Sequence, residues 1–303
     1  ISRDPIDIEA TLEMLQERPY NRKLKPALSM RMGTDRLYVV RNIKELIDVI
    51  DTESPLEFGK QFTYDPLNNY FREEDMPFMR FLKEMSDIDE AVNNSGLFKG
   101  KYLYLSDSSV KRLLAMRRDR GINVNIRDER YIDVQILEEN LPASFELKKQ
   151  GEDLLLDINV PLTITPLTRD GAYIFLDGVI YKVPKVQLDN LMPFYKVISD
   201  MRSTEIKFSK EESDRFASFV IPSLKRVGNL EVDESVEELF YQRPLEAKLY
   251  LDRVGPNITV DFKFTYGEYD IDPFAQDYGV SNNIIIRDSH REREILDVIE
   301  CSG

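Results

Sequence analysis

The chain has 303 residues, with 41 Lys plus Arg against 55 Asp plus Glu, a formal net charge of −14. That length suits one large domain or two to three smaller ones, and so acidic a surface repels phosphate backbones on average, excluding a chain-wide nucleic-acid clamp while leaving room for a local basic patch. A lone cysteine, Cys301, and a lone histidine, His290, exclude an intramolecular disulfide, a multi-Cys zinc site and a paired-His metal site.

No apolar run approaches the roughly 18–20 residues of a membrane span. The opening Arg3-Asp4-Pro5-Ile6-Asp7 is too polar for a signal peptide. The cysteine usage fits a reducing, cytoplasmic compartment. The chain starts at Ile1 and stops just past a newly begun helical pattern, so a fragment of a larger protein is expected.

Along the chain, the charged start predicts a short helix over Ile8 to Gln16. Leu28–Met32 and Leu37–Val40 flank Gly33-Thr34-Asp35-Arg36, a hairpin signal. Asn42 is placed to cap a helix whose apolar face is Ile43, Leu46, Ile47 and Ile50. Asp75 precedes Phe78, Phe81, Leu82 and Met85 in the same way. Ser108 or Ser109 opens the next helix, after Tyr102–Leu105, and Gly121 stops it. Asp177-Gly178 between two apolar runs predicts a tight hairpin, because both turn positions want positive φ.

A helix follows over Leu188 to Met201, interrupted at Pro193. Ser209 and Glu212 have capping-box spacing, and Pro222 is expected to kink the helix they open before Gly228 ends it. Ile258, Val260, Phe262, Phe264 and Tyr266 alternate with polar residues, the pattern of a strand buried on one face, and pair with the run at Leu249 and Leu251 across Val254-Gly255-Pro256-Asn257. Ser289 to Glu292 again has capping-box spacing, ahead of Ile295, Val298 and Ile299.

Hairpins and helices mix without a βαβ rhythm. The fold class is therefore α+β, antiparallel hairpins and sheets packed with helices. The expected division is an N-terminal extension over 1–27, a first subdomain over 28–145 and a second over 146–303, with the least patterned stretch at Glu138 to Glu152.

Candidate chemistry is sparse. Gly96 to Tyr102 has a glycine spacing one residue short of a phosphate loop and no Ser or Thr after its lysine. Asp89-Glu90-Ala91-Val92 has the letters of an acidic box but follows a polar helical segment rather than a buried strand. No ATPase site is expected. Lys111, Arg112, Arg117, Arg118 and Arg120 form the densest basic cluster, of the residue types that contact phosphate, or else a solvated helix face. Glu73-Glu74-Asp75 and Asp270, Asp272 and Asp277 lack calcium-loop spacing, and no metal is assigned to them. His290 is expected at the exposed start of a helix, and nothing around Cys301 marks a nucleophile.

Several words taken in order suggest a family. Met32-Gly33, Tyr38-Val39-Val40 and Phe58 to Tyr64 come first, then Phe219 to Leu224, Arg243-Pro244-Leu245, Tyr250-Leu251-Asp252, Phe264-Thr265-Tyr266-Gly267 and Arg287-Asp288-Ser289-His290-Arg291-Glu292. Together they resemble the accessory region of bacterial helicase-like proteins of the Swi/Snf family of DNA-dependent ATPases. The similarity covers most of residues 28–294.

The resemblance implies a region lying between an amino-terminal SWIM zinc finger and a carboxy-terminal two-lobed motor. It implies no catalytic, cofactor-binding or metal-binding residue in this chain. ATP and magnesium would belong to the motor of the parent protein, and zinc to the finger, whose Cys and His set is not in this sequence. The implied role is non-catalytic, positioning or regulating the motor in cis, with DNA reached mainly through the parent protein and no membrane partner. Direct nucleic-acid binding is the alternative. Arg287, Asp288, Arg291 and Glu292 are the candidates for an ion-pair network that docks the hairpin on a neighbouring domain; the local alternative is that Asp288 and Glu292 simply favour a helix N-terminus.

Overall fold

A computed structural model of the chain describes residues 3–16, 23–93, 95–275 and 283–301. The fold is α+β, with helices set against several antiparallel and mixed sheets. Two compact units emerge. Unit one holds residues 1–139 and 163–184, and unit two holds 140–162 and 185–303. The chain crosses between them at 139/140, 162/163 and 184/185, while the expected division has boundaries at 27/28 and 145/146.

Unit one is built on strand β1, Asp4–Gln16. These residues were expected to be an extension with a short helix. They form instead an inner strand of the main sheet, because Ile6, Ile8, Ala10, Leu12 and Met14 alternate with polar partners and so present one apolar face. Strand β2, Leu24–Gly33, pairs antiparallel with β1 over ten residues. Helix α1, Ile43–Asp51, is capped by Asn42, whose side chain accepts the Glu45 amide at 3.2 Å. Helix α2, Met76–Ala91, follows, but Asp75 does not cap it; its buried carboxylate turns to Arg120 and Arg117.

Strand β3, Tyr102–Tyr104, pairs with β2, and helix α3 spans Asp107–Arg117. Its cap is Ser106 rather than Ser108 or Ser109, accepting the Ser109 amide at 3.2 Å. Strand β4, Ile122–Ile126, runs parallel to β1, and β5, Glu129–Val134, closes that side. The apolar sides of α1, α2 and α3 join the even-numbered face of β1 in one core. The Tyr173–Leu176 and Val179–Lys182 strands form the expected hairpin, with Asp177 and Gly178 both at positive φ.

Unit two starts with a second hairpin, β6 over Ser144–Gln150 and β7 over Asp153–Asn159. Helix α4, Lys185–Met201, runs through Pro193 without a break. Strand β8, Glu205–Phe208, leads to helix α5, Lys210–Phe219, whose capping box of Ser209 and Glu212 is formed. Pro222 separates α5 from helix α6, Ile221–Val227, by starting a new helix rather than kinking one. Strand β9, Asn229–Val232, completes a sheet in the order β8-β7-β6-β9. The buried Gln187 amide ties this unit together: it donates to the Leu141 and Val227 carbonyls and accepts the Leu141 amide.

A long hairpin follows, β10 over Leu245–Val254 and β11 over Asn257–Tyr266, with a short third strand β12, Tyr269–Ile271, at its root. Ile284–Ile285 pairs parallel with Phe240–Tyr241, and helix α7 spans Ser289–Cys301.

Candidate functional site

The hairpin of β10 and β11 pairs in register from Leu245↔Tyr266 to Val254↔Asn257. Cross-strand partners share a face. Leu249, Leu251, Ile258, Val260, Phe262, Phe264 and Tyr266 therefore lie on one side of the ribbon, the apolar stripe that the alternation predicts. The stripe is buried only at its root. Phe264 and Tyr266 sit in a small core with Ile285, backed by Leu245, Ile295 and Leu296. Toward the tip, Leu249 is 57% exposed, Leu251 66%, Ile258 69% and Val260 60%. The expectation of a strand buried along one whole face is thus corrected: the described residues leave half of that face uncovered. Along the same stretch, among the described residues, β10 and β11 pair only with each other, since β12 reaches no farther than Phe264.

The root is fastened by polar contacts. Glu292, on the first turn of α7, accepts the Tyr266 hydroxyl at 2.6 Å. The Arg287 guanidinium grips the same carboxylate twice, Nε at 2.9 Å and Nη2 at 2.6 Å. Both side chains of this ion pair are nearly buried. The Tyr266 oxygen in turn accepts the Asp288 amide at 2.9 Å, so the phenol both gives and receives. Burial, helped by the Glu292 carboxylate, pushes the Tyr266 phenol well above its ordinary range.

The segment leading into α7 is pinned on its other side by α5. Asp214 accepts the Ile285 amide at 3.1 Å, and Ser218 Oγ accepts the Arg287 amide at 3.2 Å. Burial raises the Asp214 carboxyl, and the Ile285 amide offsets part of that. Gly267, at φ +61, turns the chain under Tyr241; a Cβ there would meet the Tyr241 hydroxyl at 2.2 Å. Arg243 lies over the Tyr241 ring, and Tyr241 packs edge-on against Tyr269.

Of the four tail residues singled out from sequence, three converge here. Arg287 and Glu292 form the pair, and Asp288 contributes its amide to Tyr266 while its carboxylate accepts the Arg291 amide at 3.1 Å. Asp288, not Ser289, thus caps α7, and the expected capping box is not what Glu292 serves. Arg291 joins only through its backbone, and its side chain is exposed. His290 is exposed beside Glu294, as expected at a helix start. The Cys301 side chain and Asp277 lie outside the described residues.

The basic cluster does not converge. Lys111 pairs with Asp170 at 2.5 Å, Arg112 with Glu84 at 2.5 Å and Arg118 with Glu138 at 3.0 Å. Arg120 bonds Glu74 and Asp75, and Arg117 is buried beside Asp75, with Nε on the Gly121 carbonyl. These cations fasten α3 and the turn after it to their neighbours, each beside a carboxylate, with Asp75 shared by Arg117 and Arg120. The acidic partners came from segments up to 59 residues away, a signal that spacing along the chain does not contain.

Asp89 ends α2 as a clasp. Burial works to raise its carboxyl, but the Ser95 hydroxyl, the Leu97 amide and Lys44 hold it below the ordinary range. Within Gly96 to Tyr102, Gly100 and Lys101 make the turn of a hairpin between Phe98–Lys99 and β3. Among the described residues no group of three or more His, Cys, Asp or Glu is placed to hold a metal, and no helix is long and apolar enough to cross a membrane.

Residues 101–303 match the family described as bacterial SNF2 helicase associated, a span that includes α3, the long hairpin and its fastening. No curated protein matches the chain.

Proposed function

Since the chain belongs to the bacterial SNF2 helicase associated family, we propose that it is a non-catalytic accessory region that positions or regulates a Swi/Snf-type motor of its own parent protein, and that the long hairpin is the element through which it does so. The single observation that carries this reading is the uncovered half of the hairpin stripe, Leu249, Leu251, Ile258 and Val260, above a root locked by Tyr266, Arg287 and Glu292.

The chemistry of the hairpin favours a protein partner over nucleic acid. Residues 245–266 hold three acidic and three basic side chains, Glu246, Asp252 and Asp261 against Lys248, Arg253 and Lys263, which sum to zero. Two of the lysines are paired along their own strand, Lys248 with Glu246 and Lys263 with Asp261. Such a ribbon has no field to draw a phosphate backbone. Its apolar stripe suits an apolar surface on the motor. Covering four half-exposed aliphatic side chains gains about 1–2 kcal/mol each before association costs. That is a weak contact between free molecules and an effective one within a single polypeptide, where the local concentration is high. ATP and magnesium would act in the motor, DNA would be engaged by the parent protein, and the setting would be cytoplasmic.

The test uses the parent protein with and without Leu251→Asp and Val260→Asp in the hairpin. DNA-stimulated ATP hydrolysis should change in the variant while the 303-residue chain alone hydrolyses no ATP. Unchanged hydrolysis in the variant, or turnover by the isolated chain, would overturn the reading.

A further inference from the structure

The covered half of the hairpin face shows what that face takes. At the root, Phe264 and Tyr266 are packed by α7 through Ile295 and Leu296. Those two residues follow Glu292, which meets the Tyr266 hydroxyl, at i+3 and i+4, so the helix turns one continuous stripe to the ribbon. The next position of that stripe, Ile299, is 39% exposed. Helix and ribbon thus each carry an apolar face past the small core they share.

The ribbon face keeps its side from root to tip. Its rungs are Leu245 with Tyr266, Ala247 with Phe264, Leu249 with Phe262, and Leu251 with Val260. The first two hold the buried rings under α7, Phe262 on the third is half-buried against the same core, and both residues of the fourth are exposed. The open stretch therefore continues a surface whose covered part already takes a helix.

The width of the ribbon fits the same kind of element. Among the described residues, the ribbon beyond Phe264 is two strands wide. Strands about 4.8 Å apart make a ribbon about 10 Å across with their side chains, the diameter of one helix. A strand added at an outer edge would pair main chain and leave Leu249, Leu251, Ile258 and Val260 in water, so edge pairing does not account for the stripe.

We propose that the stripe receives a single amphipathic helix of the parent protein's motor, laid along the ribbon beside α7 and turning apolar residues at i, i+3, i+4 and i+7 toward Leu249, Leu251, Ile258 and Val260. This rests on the docking reading above and names the element that docks. The helix extends the layer that α7 begins, and the ribbon's rungs of paired side chains supply the ridges on which it sits.

Photocrosslinking in the full-length parent protein tests it. Leu249→p-benzoylphenylalanine and Leu251→p-benzoylphenylalanine are made one at a time, and the motor residue that each attaches is read by mass spectrometry. The two positions lie about 7 Å apart along β10. A helix rises 1.5 Å per residue, so the two attached residues should be about four or five apart. Thr259→p-benzoylphenylalanine, on the opposite side of the ribbon, should give no attachment to the motor. Attached residues about two apart, the spacing of a strand, would overturn the helix and leave docking on the motor in place. No attachment to the motor, attachment to a second copy of the chain instead, or equal attachment from position 259 would overturn the docking reading and the helix with it.

Discussion

Tyr266 and Glu292 stand 26 residues apart in the chain and meet in a 2.6 Å hydrogen bond with both side chains buried. The contact joins a strand end to a helix start. It depends on Arg287 to balance the carboxylate and on the Asp288 amide to fill the phenol's remaining lone pair.

Removing the carboxylate should therefore cost more than removing the hydroxyl. Glu292→Ala removes the two charge-assisted bonds from Arg287 and the acceptor of the Tyr266 hydroxyl, and is expected to destabilise unit two by about 3–5 kcal/mol. Tyr266→Phe is expected to cost about 1–3 kcal/mol, because it takes the acceptor from the Asp288 amide and leaves Glu292 Oε1 with the Arg287 Nε bond. Urea unfolding of each variant checks the order.

The tip of the hairpin should behave in the opposite way. Leu251→Asp replaces an exposed side chain, and its effect on folding is expected within about 0.5 kcal/mol. Its consequence should appear in contact with the motor within the parent protein, read as faster limited proteolysis of the hairpin in the parent carrying Leu251→Asp than in the unaltered parent.

Two glycines at similar φ should differ. At Gly255, φ +65, a Cβ would find nothing within 4 Å, while at Gly267, φ +61, it would come to 2.2 Å from the Tyr241 hydroxyl. Gly255→Ala is expected to cost about 1 kcal/mol, the ordinary left-handed penalty. Gly267→Ala should cost that plus a displaced ring, about 2–3 kcal/mol in total. Thermal unfolding of the pair separates strain from collision.

Acid should loosen the loop of Thr168 to Ala172 in unit one. The Lys111 ammonium, followed by the Thr168 hydroxyl and the Ala172 amide, holds the Asp170 carboxyl at about 2 against an ordinary 3.8. A depressed carboxyl contributes stability that is present above the ordinary value and lost as pH falls from about 4 toward 2. Both partners are partly exposed, so solvent screens the pair and the contribution is small. Asp170→Asn should flatten this segment of the stability–pH curve, as followed by chemical denaturation between pH 5 and 2.

Local chemistry was legible in the sequence. Asn42, the Ser209–Glu212 box and Asp177-Gly178 act where they stand, because caps and tight turns involve residues two or three apart. The stripe from Ile258 to Tyr266 was legible too, as a face. What covers a face is not written in its period, and so the division between the buried Phe264 and the exposed Val260 could not be read. The same holds for β1, whose alternation competed with a charged, helix-like composition until its neighbours were known. The cations of α3 looked alike in sequence; their carboxylates lie on other elements, and only the fold pairs them.

The interleaving of the two units also orders events in time. β6 and β7 leave the ribosome before unit one is complete at residue 184, yet their sheet waits for β8 and for the parallel strand β9 at Asn229–Val232. At about 5–20 residues per second, the roughly seventy residues between β7 and β9 take several seconds to emerge. For that interval the outer edge of β6 is an unpaired strand, as the outer edge of β1 is until its own parallel partner β4 emerges, so the nascent chain twice presents an open edge that only a distant segment closes.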